Sequence, residues 1–320
     1  MSSAERWREI AGAVGRLAPG PRNAITDVPG VSVGHAQAES GERTGVTVVA
    51  PPELPVAAGV ATVNGTGVLT ASLEIDETGR IQTPVYLCGT HAVGTVLQAA
   101  ITASERGPSN AVIPVVGECD DGDLADSRTT TADDVERALA TLGPDVAEGS
   151  VGAGTGMQCF DFPGGIGTAS RAVAGHHVGV LALCNFGARE DLDLLGTTLG
   201  PPVRAAAADG SCIAVCATDA PLSAQQLRRL ALRPLLGLAR AGSYGAEGSG
   251  EIGLALTTAS EGETPNSDLN PCFAAAWEAA REAVLNCLVA ARPARRLDGT
   301  MQDPFPVEQV RRLARERGLA

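Results

Sequence analysis

Residues 209–219 read Asp209-Gly210-Ser211-Cys212-Ile213-Ala214-Val215-Cys216-Ala217-Thr218-Asp219. The stretch opens with Asp-Gly, a pair typical of tight turns, and its serine is followed at once by an apolar run. A short apolar run that follows turn residues predicts a buried β-strand. From spacing alone, Ser211 is the residue at which a loop enters a strand.

Four other apolar runs predict strands of the same kind. They are residues 46–49, 112–116, 178–183 and 252–256. Glycine-rich turns and longer helical patterns separate these runs, and such a mixture predicts an α/β or α+β protein.

Three helices are predicted from capping and periodicity. Thr131 with Asp134 forms a capping-box pattern that predicts a helix through Leu142, and the same pattern at Ser223 predicts a helix to about residue 240, bent at Pro234. Near the C-terminus, apolar residues recur every three or four positions and predict a long helix with one apolar stripe. The stripe consists of Phe273, Trp277, Ala280, Val284, Cys287 and Ala291.

The charged residues exclude several kinds of chemistry. All 24 basic side chains are arginines, so the chain has no lysine for a Schiff base or a phosphate-binding loop. The net charge of −13 argues against nucleic acid and anionic membranes as partners, because phosphate binding depends on clustered basic residues. Small molecules or cationic substrates fit this charge better.

Composition predicts one domain over residues 1–320, since no Pro/Ser-rich linker or charge run marks a boundary. A hydrophobic content of 44% with only 3% aromatic residues predicts a large core of small aliphatic side chains.

The N-terminus lacks the apolar segment of a secretory signal, and no apolar stretch is long enough to span a membrane, so we expect a cytoplasmic protein. The eight cysteines include no CxxC pair and are predicted to be reduced core residues.

Two common motifs are incomplete. The glycine cluster 152–156 lacks the full GxGxxG spacing of a dinucleotide site, and the four histidines have no zinc-binding spacing, so neither a cofactor nor a metal is expected. Residues 30–34 match the GxSxG pattern of a hydrolase nucleophile beside His35. Because Pro29 precedes this pattern and no helical period follows it, Ser32 is disfavoured as a nucleophile.

Six blocks, in colinear order, form an unusual combination. They are Gly152-Ala-Gly-Thr-Gly-Met157, Gly164-Gly-Ile-Gly-Thr-Ala-Ser-Arg171, Cys184-Asn-Phe-Gly187, Asp209-Gly-Ser211, Ala217-Thr-Asp-Ala-Pro-Leu222 and Gly248-Ser-Gly-Glu251. Together they resemble the self-processing L-aminopeptidase D-Ala-esterase/amidase family, which includes the β-aminopeptidases. The similarity runs from about residue 23 to 317 and implies an α+β fold, the four-layer αββα sandwich of the aminopeptidase/ornithine acetyltransferase type.

The resemblance implies self-cleavage between Gly210 and Ser211, giving a large subunit of residues 1–210 and a small subunit of residues 211–320. The freed Ser211 would be an N-terminal nucleophile. A serine hydroxyl needs a base, and an α-amine with a reference pKa of about 7.7–8.0 can be that base near neutral pH. In a chain without lysine, one residue would then supply both groups.

The resemblance also implies roles for three further residues. Asn185 would donate its amide to the oxyanion, and Ser249 and Glu251 would contact the nucleophile and its amine. Without the family, Asn185 is a loop asparagine at a strand end, and Ser249 and Glu251 are turn residues before a strand. Contacts with the substrate are predicted for Gly154 and Thr155.

The chain departs from the family pattern at three positions. Asp123 and Ala125 stand where many members have tyrosine and asparagine, and Pro163 stands where relatives often have lysine. Asp123, predicted here as a substrate-binding residue, would oppose an oxyanion at the place of that tyrosine. These departures imply slower maturation, a different substrate or lost activity.

Five carboxylates crowd into residues 118–126: Glu118, Asp120, Asp121, Asp123 and Asp126. A solvated acidic loop is the ordinary explanation, and a docking surface for the ammonium group of a substrate is the alternative. The glycine and the last glutamate of an EF-hand loop are misplaced, so calcium is not expected.

The predicted function is therefore that of an autoprocessed N-terminal-serine aminopeptidase or amidase, acting through an acyl-enzyme and assembled as a homo-oligomer. One rival is an acyltransferase on the same scaffold, which usually has a threonine nucleophile, so that Ser211 argues against it. The other rival is an uncleaved, non-catalytic binding protein, for which Asp123 and Pro163 are the best support.

Overall fold

The computed structural model describes residues 5–41, 43–104, 111–195, 210–260 and 262–319. Asp209, the first residue of the Asp-Gly-Ser sequence, lies outside these residues, and so does the side chain of Asp123. The helices of the described part are α1 (Trp7–Ala11), α2 (Ser72–Thr78), α3 (Val93–Ala103), α4 (Ala132–Ala140), α5 (Ala224–Ala241), α6 (Asn270–Ala290) and α7 (Val307–Glu316).

The strands form two main sheets and a small hairpin. They are β1 (Ser32–Gln37), β2 (Gly45–Ala50), β3 (Val56–Asn64), β4 (Arg80–Ile81), β5 (Val85–Gly89), β6 (Val115–Cys119), β7 (Gln158–Cys159), β8 (Phe162–Pro163), β9 (Gly165–Val173), β10 (His176–Asn185), β11 (Gly210–Thr218) and β12 (Ser249–Thr257). One sheet has the order β1-β2-β5-β6 and the other β4-β3-β12-β11-β10-β9, while β7 pairs with β8. Strand β11 is antiparallel to β10 and parallel to β12.

The two sheets pack face to face, and helices cover their outer faces. Between the sheets, Leu87 and Val115 of the four-stranded sheet meet Leu181, Ile213 and Leu254 of the six-stranded sheet in one apolar core. Helices α3 and α4 pack against the outer face of the first sheet, and α5 and α6 against that of the second. The predicted αββα sandwich is confirmed.

The capping patterns in the sequence predicted the starts of α4 and α5 correctly. Helix α4 begins after a capping box of Thr131 and Asp134, and α5 begins after one at Ser223 and continues through Pro234. The strand predicted over 112–116 begins only at Val115, because Pro114 has no amide hydrogen to donate to a neighbouring strand.

Helix α6 is buried on several faces and not only along its apolar stripe, because it lies between the six-stranded sheet and α5. Its polar residues Glu278 and Glu282 are buried and form ion pairs with the fully buried Arg171. Trp277, predicted to face the core, is 36% exposed. Apolar periodicity identified the helix, but it did not reveal these buried charges.

All eight cysteines are buried free thiols, as their apolar surroundings predicted. Four of them, Cys159, Cys184, Cys212 and Cys287, share the core on the helix-covered face of the six-stranded sheet. Among the described helices, none combines the length and the apolar character that a membrane crossing requires.

Candidate active site

The start of β11 brings the predicted site residues together. Ser211 lies opposite Asn185 of β10 on one side and opposite Gly250 of β12 on the other. Gly210 pairs with Ser249, and Cys212 with Glu251. Because neighbouring strands lie about 4.8 Å apart, this register brings the four residues to one edge of the sheet. The side chain of Asn185 shares a face with that of Ser211, whereas Ser249 and Glu251 share the other face with Cys212.

Ser211 is only 5% exposed and faces the space between the two sheets. Residues two apart in a strand share a face, and Ile213 and Val215 belong to the core between the sheets. Cys212 and Ala214, on the other face, pack in the core beneath the helices. The side chain of Ser211 therefore points towards the four-stranded sheet.

Asn185 is held at both ends of its amide. Its Oδ1 accepts a hydrogen bond from the backbone N–H of Gln158 at 2.8 Å, and its Nδ2 donates to the carbonyl oxygen of Asp120 at 2.7 Å. An amide nitrogen carries two hydrogens, so one donor remains for a ligand. A donor fixed in this way can stabilise developing negative charge without reorganisation.

Ser249 and Glu251 are buried strand residues, so their interpretation as turn residues is wrong. The hydroxyl of Ser249 donates to Glu251 Oε1 at 2.6 Å, and that of Ser243 donates to the same oxygen at 3.3 Å. Glu251 Oε2 is buried and has no hydrogen-bond partner among the described residues. Burial raises the pKa of this carboxyl above its ordinary value, against the two hydroxyl hydrogen bonds.

A shallow depression that is open to solvent adjoins this group. Its lining residues are Gly187, Gly242, Ser243, Tyr244, Ala246 and Ser249. It therefore joins the segment after Asn185 to the start of β12, and both hydroxyls that bind Glu251 reach it.

A second glycine cluster, residues 64–67 (Asn-Gly-Thr-Gly) at the end of β3, packs directly beside the site. A Cβ atom at Gly250 would lie 2.2 Å from the carbonyl oxygen of Thr66, so only glycine fits opposite Ser211. Asn64 donates to the carbonyl oxygens of Ala246 and Glu247, which ties this cluster to the segment before β12.

The acidic block is not a solvated loop at two of its positions, and that expectation is wrong there. Glu118 and Asp121 are 4% and 3% exposed. Glu118 accepts hydrogen bonds from the backbone N–H of Val68 at 2.8 Å and from the hydroxyl of Thr90. Burial raises the pKa of Asp121 to about 6.

Gly154 and Thr155 lie in a buried turn, four and three residues before Gln158, whose backbone N–H binds Asn185. A Cβ at Gly154 would meet the Cα of Gly165 at 2.6 Å, so this glycine permits close packing. The hydroxyl of Thr155 donates to the carbonyl oxygen of Gly152 at 2.7 Å. Their contacts with a substrate stay predictions.

Ser32 does not form a nucleophile elbow. It begins β1 and pairs with Ala50 of β2, whereas an elbow requires a turn from a strand into a helix. The neighbouring His35 shares a 2.9 Å hydrogen bond with the hydroxyl of Thr47. In the part of the chain that the structure describes, no three histidine, cysteine or acidic side chains form a group that could hold a metal ion.

Sequence reasoning missed Cys119, which it treated as an ordinary core cysteine. The thiol of Cys119, at the end of β6, packs against the start of β11, although the two strands belong to different sheets. Nothing in the local sequence signals this contact.

Comparison with known proteins assigns this sandwich to the peptidases. More particularly, the chain belongs to peptidase family S58, because the model of that family matches residues 23–302.

The similar proteins include aminopeptidases. The β-peptidyl aminopeptidase BapA of Sphingosinicella microcystinivorans is 38% identical over 93% of this chain and 89% of its own. Among solved structures, the PH0078 protein from Pyrococcus horikoshii OT3 matches with a TM-score of 0.91 and 35% identity, over 99% of this chain and 100% of its own. The L-aminopeptidase D-Ala-esterase/amidase of Ochrobactrum anthropi, described as a prototype serine aminopeptidase with a variant of the Ntn-hydrolase fold, matches with a TM-score of 0.87 and 31% identity, over 98% of this chain and 99% of its own.

Proposed function

We propose that this chain is an aminopeptidase or amidase that activates itself by cleavage and uses Ser211 as its N-terminal nucleophile. Its substrates are small N-terminal amides, peptides or esters. The observation that carries the proposal is the register of β10, β11 and β12, which sets Ser211 beside Asn185, Ser249 and Glu251. The names of the two aminopeptidase relatives support the same reaction class.

Maturation breaks the bond between Gly210 and Ser211. In the precursor, the hydroxyl of Ser211 attacks the carbonyl carbon of Gly210, its proton passes to the departing amine, and the resulting ester is hydrolysed by water. The products are residues 1–210 with a new carboxylate and residues 211–320 with a new α-amine. Buried ion pairs of Arg8 and Arg171 with Glu282 join the two products after the cut.

In the mature enzyme, the neutral α-amine of Ser211 takes the hydroxyl proton as the oxygen attacks the substrate carbonyl. The free N–H of Asn185 stabilises the oxyanion, and the unpartnered oxygen of Glu251 orients the ammonium that forms. The ammonium then protonates the leaving amine, and water releases the acyl group by the same steps in reverse order. Neither a metal nor a cofactor takes part.

The acidic block supplies a binding place for the ammonium group of the substrate. Glu118 adjoins Cys119, which contacts Ser211, and each of its oxygens has a lone pair left beyond the one bond it accepts. Together with Asp120 and Asp121, Glu118 makes this block negative, consistent with a chain of charge −13 that favours cationic substrates. The proposal includes a cytoplasmic homo-oligomer, whose size sedimentation of the mature protein would measure.

Intact mass spectrometry under denaturing conditions tests the proposal. The wild-type protein should give two masses, for 210 residues and for 320 − 210 = 110 residues. Ser211→Ala should give only the full-length mass and no hydrolysis, while the matched control Ser32→Ala should be processed and active.

A wild-type chain that stays whole after long incubation would support the uncleaved binding protein instead. Processing and activity in Ser211→Ala, together with their loss in Ser32→Ala, would restore the GxSxG serine as the nucleophile. Acyl transfer to an added amine in place of hydrolysis would support the acyltransferase.

A further inference from the structure

Cys119 ends β6 and carries a fully buried thiol on the face that meets the other sheet. Two residues earlier, a Cβ at Gly117 would lie 3.1 Å from Cγ2 of Ile213. Since residues two apart in a strand share a face, the step from Gly117 to Cys119 corresponds to the step from Ile213 to Ser211. Strand geometry thus sets the thiol against the hydroxyl, and the carbonyl of the next residue, Asp120, binds Asn185, which lies directly opposite Ser211.

The thiol is a neutral group in this position. Burial, with a smaller effect of the nearby Glu118 carboxylate, raises the pKa of Cys119 well above its ordinary value, so it is not a rival nucleophile. Its S–H points at the carbonyl oxygen of Leu183, 3.8 Å away. The lone pairs of the sulfur are therefore available to accept the O–H of Ser211.

We propose that Cys119 is a positioning residue that selects the side-chain rotamer of Ser211. A serine hydroxyl has three staggered positions, and a partner across the sheets stabilises the one that points between them. Asn185 reaches the same place from β10, because its Nδ2 binds the carbonyl of Asp120, the residue after Cys119. The inference rests on the proposed function of Ser211.

A sulfur acceptor suits a hydroxyl that must give up its proton. Hydrogen bonds to sulfur are weak. The sulfur therefore holds the hydroxyl in place, and little free energy is lost when this hydrogen bond breaks as the proton passes to the base. The same rotamer serves both attacks of Ser211, on Gly210 during maturation and on the substrate afterwards. Both rates should therefore depend on Cys119.

The test compares Cys119→Ala, Cys119→Ser and Cys216→Ala. The control Cys216 is a fully buried thiol on the same strand as Ser211, but it faces the helices. Cys119→Ala should lower both the rate of self-cleavage and kcat by about two- to tenfold, the effect of one lost hydrogen bond, with KM unchanged. Cys119→Ser should keep both rates, since its hydroxyl can accept the same proton, and Cys216→Ala should keep them whatever it does to thermal stability.

Equal kcat in Cys119→Ala and the wild type would overturn the positioning role, and the proposed function would stand as long as Ser211→Ala is inactive. A Cys119→Ser variant as slow as Cys119→Ala, with the same loss of thermal stability, would also overturn it, because only packing would then be involved. If Ser211→Ala itself matures and hydrolyses substrate, the proposed function has failed and the inference fails with it.

Discussion

Two buried carboxylates of this protein differ in how completely their oxygens are bound. Glu282, on α6, accepts two hydrogen bonds from Arg8, one from Arg171 and one from Asn23, so both of its oxygens are occupied. Glu251, on β12, receives two hydroxyls on Oε1, while its Oε2 has no partner within the described chain. The first belongs to a charged network that joins the N-terminal segment to α6, and the second to the candidate active site.

The difference separates groups that hold the fold from groups that act on a ligand. A buried oxygen without a hydrogen bond lowers the stability of the fold by about 1–3 kcal/mol. Proteins keep such an oxygen where a ligand must bind to it. Asn185 and Asn286 form a neutral pair that differs in location and not in the number of hydrogen bonds. Both are buried asparagines whose amides bridge two backbone groups, but Asn286 joins Trp7 to Thr168 within the network.

The network should determine stability and not rate. Arg171→Met leaves Glu278 and Glu282 without their buried cation, and we expect it to lower the free energy of unfolding by about 3–5 kcal/mol. Urea denaturation measures this best in a Ser211→Ala background, where the chain is expected to stay whole. The control Arg312→Met removes an exposed ion pair with Glu316 and should leave stability unchanged.

A loss below about 1 kcal/mol in Arg171→Met would mean that the network is no better than an apolar core, as happens for some buried ion pairs. If Arg171→Met kept the wild-type free energy of unfolding but lost most of its kcat, these charges would belong to the active site. The distinction between the Glu282 network and the Glu251 site would then be wrong.

Asn185 should determine rate and not stability. Removing one fixed oxyanion donor typically costs a factor of about 100–1000 in kcat, so Asn185→Ala should lose that much with little change in KM. Steady-state kinetics on matured protein provides the measurement. Asn286→Ala is the matched control, and it should lower thermal stability while kcat per folded molecule stays at the wild-type value.

Similar kinetics for the two alanine variants would contradict this assignment. If Asn185→Ala were merely less stable, its amide would be a structural bridge between Gln158 and Asp120, and another donor would have to bind the oxyanion.

Glu251 should have the smallest of the three effects, because it is proposed to orient a base and not to react. We expect Glu251→Gln to lower kcat by about tenfold, or about 1.4 kcal/mol, and to leave KM nearly unchanged. Activity should rise with pH as the α-amine of Ser211 loses its proton. Since the carboxylate favours the ammonium form and raises the pKa of that amine, the glutamine variant should shift the midpoint downward by about one pH unit.

The pH profile of kcat checks this prediction, with exposed Glu247→Gln as the control. A second reading comes from stability in the Ser211→Ala precursor. The raised pKa of Glu251 means that its contribution to stability is present below the pKa of the unfolded chain and is lost as pH rises through the folded value. In Glu251→Gln, the free energy of unfolding should fall less over this pH range. If the variant instead kept the wild-type kcat and the wild-type pH midpoint, Glu251 would be a structural residue.

The sequence predicted those helices and strands whose position depends on residues close together in the chain. Thr131 with Asp134, and Ser223 with Gln226, satisfy helix ends through side chains only three residues away, so the pattern is visible in the chain itself. Likewise, the apolar run after Ser211 predicted β11, since alternation and burial on both faces follow from residue type.

The acidic block shows where such reasoning fails. Five carboxylates in sequence suggested a solvated loop, yet Glu118 is buried because Val68 and Thr90, distant in sequence, donate to its two oxygens. Burial of a charge depends on partners that residue type and spacing do not reveal. For the same reason, Ser249 and Glu251 appeared to precede a strand that in fact contains them.

The sequence by itself determined the family, the sandwich, and Ser211 as the head of a buried strand, because unusual blocks and apolar periodicity are properties of the linear chain. Only the tertiary structure decided that Cys119 of one sheet meets Ser211 of the other, that the amide of Asn185 is fixed with a donor to spare, and that one oxygen of Glu251 is left unbound. These facts depend on strand register and on the packing of two sheets. Both arise from contacts between distant residues, which no local pattern encodes.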